Sequence, residues 1–146
     1  MTSHILKATF TQVQYTLTTS VVGGGNIIVY PDQASYFYGD IVTLTAVPTS
    51  GWQFAGWSGG ASGTSNPLTL TITSNTTVTA TFTQILYTVT VSVVGEGSVT
   101  KNPDLPGYVA GTNVLVTAIP AIGWKFSGWE LDGVNVGSEN PLTIIV

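Results

Sequence analysis

The sequence contains no cysteine and no arginine, a single histidine, and charged residues at only 7% of its 146 positions. Without cysteine there is no disulfide framework, no thiolate metal site and no thiol nucleophile. Three lysines against seven carboxylates, a net charge of −4, leave no basic patch able to neutralise phosphates, which excludes nucleic acid as a partner. The one histidine, His4, lies at the extreme N-terminus, so most acid-base and metal chemistries lack their parts. No charge falls between Asp40 and Glu96, yet that stretch is broken every few residues by Gly, Pro, Ser or Thr. It never offers about 20 consecutive apolar positions, so a spanning helix is not expected. The opening MTSHILKATF also lacks the basic-then-apolar layout of a secretory leader. The expectation is export by a leader outside these residues, or a segment of a longer chain.

What the chain does have is a repeat. YTLTTSVVGGGNIIVYP from Tyr15 to Pro31 matches YTVTVSVVGEGSVTKNP from Tyr87 to Pro103, 72 positions on. Gly39 answers to Gly111, Pro48 to Pro120, and GWQFAGW (Gly51 to Trp57) to GWKFSGW (Gly123 to Trp129). A two-residue insertion then sets NPLTLTI from Asn66 against NPLTIIV from Asn140. ATFTQ at Ala8 to Gln12 recurs at Ala80 to Gln84. The N-terminus therefore reads as the closing strand of a repeat, and the last copy stops at the equivalent of Ile72, before that strand. The division expected is a completing strand over 1–12, one module over 13–84, and a second over 85–146 that lacks its last strand.

Hydrophobic residues alternate with period two, which argues for strands with one buried face. Tyr15, Leu17, Thr19 and Val21 alternate with Thr16, Thr18 and Ser20. Tyr87, Val89, Val91 and Val93 do the same against Thr88, Thr90 and Ser92. Val42, Leu44 and Ala46, then Leu68, Leu70 and Ile72, then Val78, Ala80 and Phe82 form further inward sets between threonines. Threonine is β-branched, so it favours strands while keeping an outer face polar without charge. Turns are marked by Gly, Pro, Asn and Asp at Gly23, Tyr30, Ser58 and Thr73. The expected class is all-β, two small tandem modules of five to six short strands each.

This order of Tyr-Thr-Val-Thr strand, Gly-x-Gly turn, Gly-Trp-x-Phe-x-Gly-Trp block, Asn-Pro-Leu-Thr and terminal Ala-Thr-Phe resembles the divergent internalin-B-type B-repeat family of bacterial surface repeats. The resemblance spans nearly the whole chain. It implies a β-grasp-like module of about 70 residues, an extracellular or cell-surface location, and use as a stalk, spacer or adhesive unit with no catalytic site to carry over.

The aromatics Trp52, Phe54, Trp57, Trp124, Phe126 and Trp129 read as core, since small modules draw much of their stability from large rings. A carbohydrate platform is the competing reading. Asp132, Asn135 and Glu139 in the loop Glu130 to Asn140 offer oxygen donors for calcium, but without EF-hand spacing, and the first copy has no carboxylate there. A solvated loop is expected instead, with no metal and no cofactor. Asn75-Thr76-Thr77 matches a glycosylation acceptor, a pattern frequent by chance in a threonine-rich chain. The GGG and GEG stretches are hairpin turns and not phosphate cradles, since no helix follows. The carboxylates fall mostly in turns, with only Asp32 and Asp104 equivalent between copies, so the chain is not expected to be an enzyme.

A module without its last strand exposes an unpaired edge, and such edges recruit strands. The segment Ile5 to Phe10 has the right alternation, with Leu6, Ala8 and Phe10 in the phase of Val78, Ala80 and Phe82. Inserted beside Leu142, Ile144 and Val146 of a neighbouring copy, it would give a head-to-tail extracellular filament of this chain alone, without membrane insertion. The alternatives are closure of the same strand within one chain, a stalk or adhesive segment binding a glycan or surface protein, and a transmembrane β-barrel. The irregular Gly-rich loops fit the barrel poorly.

Overall fold

In the computed structural model, which describes residues 3–146, the chain divides into two compact units, residues 1–84 and 85–146. Residues 1 and 2, the first of the expected completing strand, lie outside the described residues. Among the described residues there is no helix. Unit 1 holds β1 (Gln14–Tyr15), β2 (Leu17–Val22), β3 (Gly25–Tyr30), β4 (Tyr36–Phe37), β5 (Ile41–Pro48), β6 (Trp52–Gly59), β7 (Leu68–Thr71) and β8 (Thr76–Gln84). Unit 2 holds β9 (Gly97–Asn102), β10 (Asn113–Pro120), β11 (Trp129–Leu131), β12 (Val134–Gly137) and β13 (Leu142–Ile145).

Unit 1 packs two three-stranded sheets over one core. In the first, β5 lies between β3 and β7, antiparallel to both. In the second, β8 lies between β2 and β6, parallel to β2 and antiparallel to β6. The alternation in sequence produces the two inner faces directly: Val42, Leu44 and Ala46 from β5 meet Val78, Ala80 and Phe82 from β8, with Trp57, Ile72 and Tyr36 completing the buried set. Threonines 43, 45, 69, 71, 77 and 83 take the outward phase of the same strands.

Three side chains stitch the loops to this frame, and each does so in both copies. Asn66 accepts the Ala46 amide (2.9 Å) and donates to the Ala46 carbonyl (2.8 Å), continuing the β5–β7 ladder with a side-chain amide. Asn140 does the same with Ala118. The Tyr36 hydroxyl donates to the Pro31 carbonyl and accepts from the Gln33 amide, and Tyr108 repeats this with Pro103 and Leu105. The indole N–H groups of Trp57 and Trp129 donate to the Ser65 and Glu139 carbonyls. These bonds are part-buried, with that of Trp129 exposed, and each contributes about 1 kcal/mol to holding the loops in place.

In unit 2 only one sheet is complete. β10 lies between β9 and β13, the counterparts of β3 and β7. The expected strand over Tyr87 to Val93 does not form beyond an isolated bridge between Tyr87 and Tyr108. Its counterpart β2 is held by a ladder to β8, and unit 2 has no strand in that position to supply the bonds. For the same reason the counterpart of the eight-residue β6 shrinks to β11. The loop Glu130 to Asn140, expected to be solvated, is exposed throughout and folds β11 onto β12 as a hairpin turning at Asp132 and Gly133, both in the left-handed region. The segment 3–13 has no assigned strand, although its sequence alternates.

The frame makes a direct prediction for unit 1. Phe82→Ala should lower its stability by about 3–5 kcal/mol, whereas Thr83→Ala on the outer face should stay within about 0.5 kcal/mol. Urea unfolding followed by tryptophan fluorescence measures both, and similar midpoints for the two variants would contradict the packing described.

Candidate functional site

Unit 2 carries a groove of about 490 Å³. One lip is the unpaired segment Val89 to Val94, and the other is Trp124 to Leu131. The floor is made by Val99, Val116, Ala118, Leu142 and Ile144. The counterparts of the two lips in unit 1 are β2 and β6, and the strand lying between β2 and β6 is β8. The groove is thus the course that β8 follows in unit 1.

The difference in burial between the copies follows from this strand. Unit 1 buries nine core side chains, three of them from β8. The core cluster of unit 2 reduces to Tyr108, Val114 and Val116. Val78, Ala80 and Phe82 have no counterpart among the residues of unit 2, so Trp129 is half-buried where Trp57 is only 4% exposed. In unit 1 the Phe82 ring meets Phe54 edge-on (5.8 Å between centroids), and Phe54 in turn packs on Trp57 (5.0 Å). In unit 2 Phe126 and Trp129 keep their contact at 4.9 Å without a third ring.

Gly25 shows how closely the third ring sits. A Cβ there would come within 2.5 Å of the Phe82 ring, so only glycine admits it. Its counterpart Gly97 lines the groove of unit 2. Gly95 keeps a related function, since a Cβ there would meet the Trp124 ring at 2.8 Å.

The aromatic residues expected as core divide accordingly. Trp57 is buried; Trp52, Phe54, Phe126 and Trp129 are half-buried; Trp124 departs from a core role at 55% exposure, because the strand that completes its sheet in unit 1 is not there to pack on it. Leu142 and Ile144 lie in the floor, on a strand of the opposite sheet, and Val146 is tied at its backbone to Gly111 and Thr112. They face the groove without being its lateral neighbours; in unit 1 the equivalent β7 shares no ladder with β8. The residues that flank it, Val89 to Val94 and Lys125 to Glu130, were legible in the repeat only by asking which strands bracket ATFTQ in the first copy. The N-terminal residues Ile5, Leu6 and Phe10 are 97%, 99% and 91% exposed, with Ala8 exposed between them.

Charge around the groove is sparse. Glu96, Lys125 and Glu130 lie at its lips. Lys101 is engaged elsewhere: its ammonium lies 3.0 Å from Asp104 and donates to the Val89 carbonyl at 3.2 Å. The hydrogen bond that Lys101 donates to the Asp104 carboxylate raises its pKa above the ordinary lysine value. No group of three or more metal-ligating side chains occurs among the described residues. Asn75, the glycosylation motif, uses its side-chain oxygen to accept the Thr16 amide at 2.9 Å, anchoring the approach to β2.

Residues 15–86 and 87–146 each match the divergent InlB B-repeat domain. The chain belongs to that family, a repeat family of bacterial surface proteins, and carries two copies in tandem. No curated protein and no solved structure matches the chain.

The difference between the two copies is measurable by hydrogen exchange on the dilute chain. Amides of Val89 to Val94 should exchange orders of magnitude faster than those of the ladder-bonded Leu17 to Val22. Equal protection of the two segments would mean that the lip in unit 2 is already paired.

Proposed function

We propose that the chain is a structural subunit that polymerises head to tail, its N-terminal segment completing the open module of a neighbouring copy. The observation that carries this reading is the match between groove and segment. Among the described residues of unit 2 none forms the strand that β8 forms in unit 1, while His4 to Gln12 stands in the same phase as Thr76 to Gln84 and leaves its apolar side exposed. In the register of β8, Leu6, Ala8 and Phe10 replace Val78, Ala80 and Phe82 over the floor, and Phe10 becomes the third ring beside Phe126 and above Gly97.

The repeat spacing favours a neighbour over self-closure. β8 ends at Gln84, three residues before the second repeat begins at Tyr87. Gln12 and Tyr15 have the same spacing. A closing strand therefore belongs to the module that precedes the repeat it leads into, a place that under the head-to-tail reading the second module of another copy takes for residues 4–12. Each junction between chains then repeats the covalent junction within one chain. A contact of this head-to-tail kind propagates as an open filament. Burying Leu6 and Phe10 contributes roughly 3–6 kcal/mol, and each ladder hydrogen bond about 1 kcal/mol, against the entropy of association.

Threonine-rich, nearly uncharged outer faces suit a surface or extracellular setting, as does family membership. The same two features favour a second reading, a spacer or adhesive repeat segment that binds a glycan or surface protein. Negative-stain microscopy and light scattering of the purified chain separate the two. Long fibres from the intact chain, and none after removal of residues 1–12 or with Phe10→Asp, are the expected result. A monomer at all concentrations would overturn the filament and leave the spacer.

A further inference from the structure

The groove and the segment also carry charges, and their positions coincide. In unit 1 Thr79 of β8 pairs across the antiparallel ladder with Ser58 of β6, and its hydroxyl lies 2.6 Å from that of Ser20 on β2. This is a neutral position on the outer face. Displacing both strands by one repeat puts Lys7 at the place of Thr79, Glu130 at that of Ser58 and Ser92 at that of Ser20. Glu130 is exposed on the lip of the groove. Lys7 is the only lysine before residue 101, and Glu130, like Glu96, is a carboxylate of the second copy with no acidic counterpart in the first.

We propose, resting on the filament reading above, that Lys7 of one copy facing Glu130 of the next is the pair that selects the N-terminal segment as the occupant of this groove and sets its register. The other charged groups at the groove do not compete for that position. Lys125 falls opposite Thr11, the place of the Gln53–Thr83 pair, and Glu96 lies in the turn equivalent to Gly24, beyond Trp124. A shift of two residues that keeps Leu6, Ala8 and Phe10 inward moves Lys7 opposite Gly128 in one direction, or past the end of β11 to the turn residue Asp132 in the other. Only the repeat register sets the lysine against a carboxylate on a strand. Unit 1, closed by its own neutral Thr79, offers no such partner.

Cross-strand pairs of opposite charge stabilise a sheet, and like charges directly opposite destabilise it. Charge exchange in the full-length chain therefore tests the pair. Lys7→Glu alone and Glu130→Lys alone should each raise the critical concentration for fibre formation about three- to ten-fold. The doubly exchanged chain, and an equimolar mixture of the two single variants, should return it to the native value, since in the mixture each donor finds an acceptor of opposite sign. High salt should shrink the differences. Circular dichroism of the variants should match the native chain, because both positions are exposed. Native assembly by both single variants would overturn the pair while leaving the filament intact. Impaired singles without recovery in the mixture would overturn it too, and failure of the native chain to assemble would remove both proposals together.

Discussion

The fold of each module turns on a strand that comes last in sequence and lies central in space. β8 contributes three of the nine buried side chains of unit 1 and holds β2 and β6 on either side. A central strand is bonded along both edges, so its removal costs two ladders and a layer of core at once. A two-sheet module of this size has no other element able to replace it, because β2 and β6 have no bonds to each other without it.

Unit 2 shows the outcome within the same molecule. The sheet that does not need a closing strand, β9-β10-β13, is ordered in the same register as its counterpart, and the tyrosine and asparagine clamps are reproduced to within a tenth of an ångström. The sheet that needs one opens into a groove with an apolar floor. Residues 4–12 of the same chain share the phase of β8 and leave their apolar side exposed, so the proposed junction would cover both surfaces at once.

Much of this was legible in the sequence. The period-two alternation and the recurring ATFTQ identified the class, the repeat and the strand in excess at one end. What could not be read was which strands bracket the closing strand. Leu142, Ile144 and Val146 adjoin it in sequence, whereas its neighbours in unit 1 are Leu17 to Val22, some 60 residues earlier and parallel, and Trp52 to Gly59. Hydrophobic phase assigns a residue to a face but does not order strands within a sheet. Nor does it tell that Tyr87 to Val93, with the same alternation as β2, stays without a ladder: a strand is a property of two segments, and the partner was the missing one. The exposure of Trp124 has the same origin.

The central claim is that residues 4–12 of one chain lie between the lips of unit 2 of another. The absence of native cysteine makes this directly measurable. Gln53 and Thr83 are opposed on the outer face of unit 1, their side chains 3.5 Å apart, and their counterparts across the junction are Lys125 and Thr11. Oxidation of the chain carrying Thr11→Cys and Lys125→Cys should give a ladder of covalent dimers, trimers and longer multiples in denaturing gels. A cross-linked monomer, or no cross-link in either single chains or assemblies, would contradict the account.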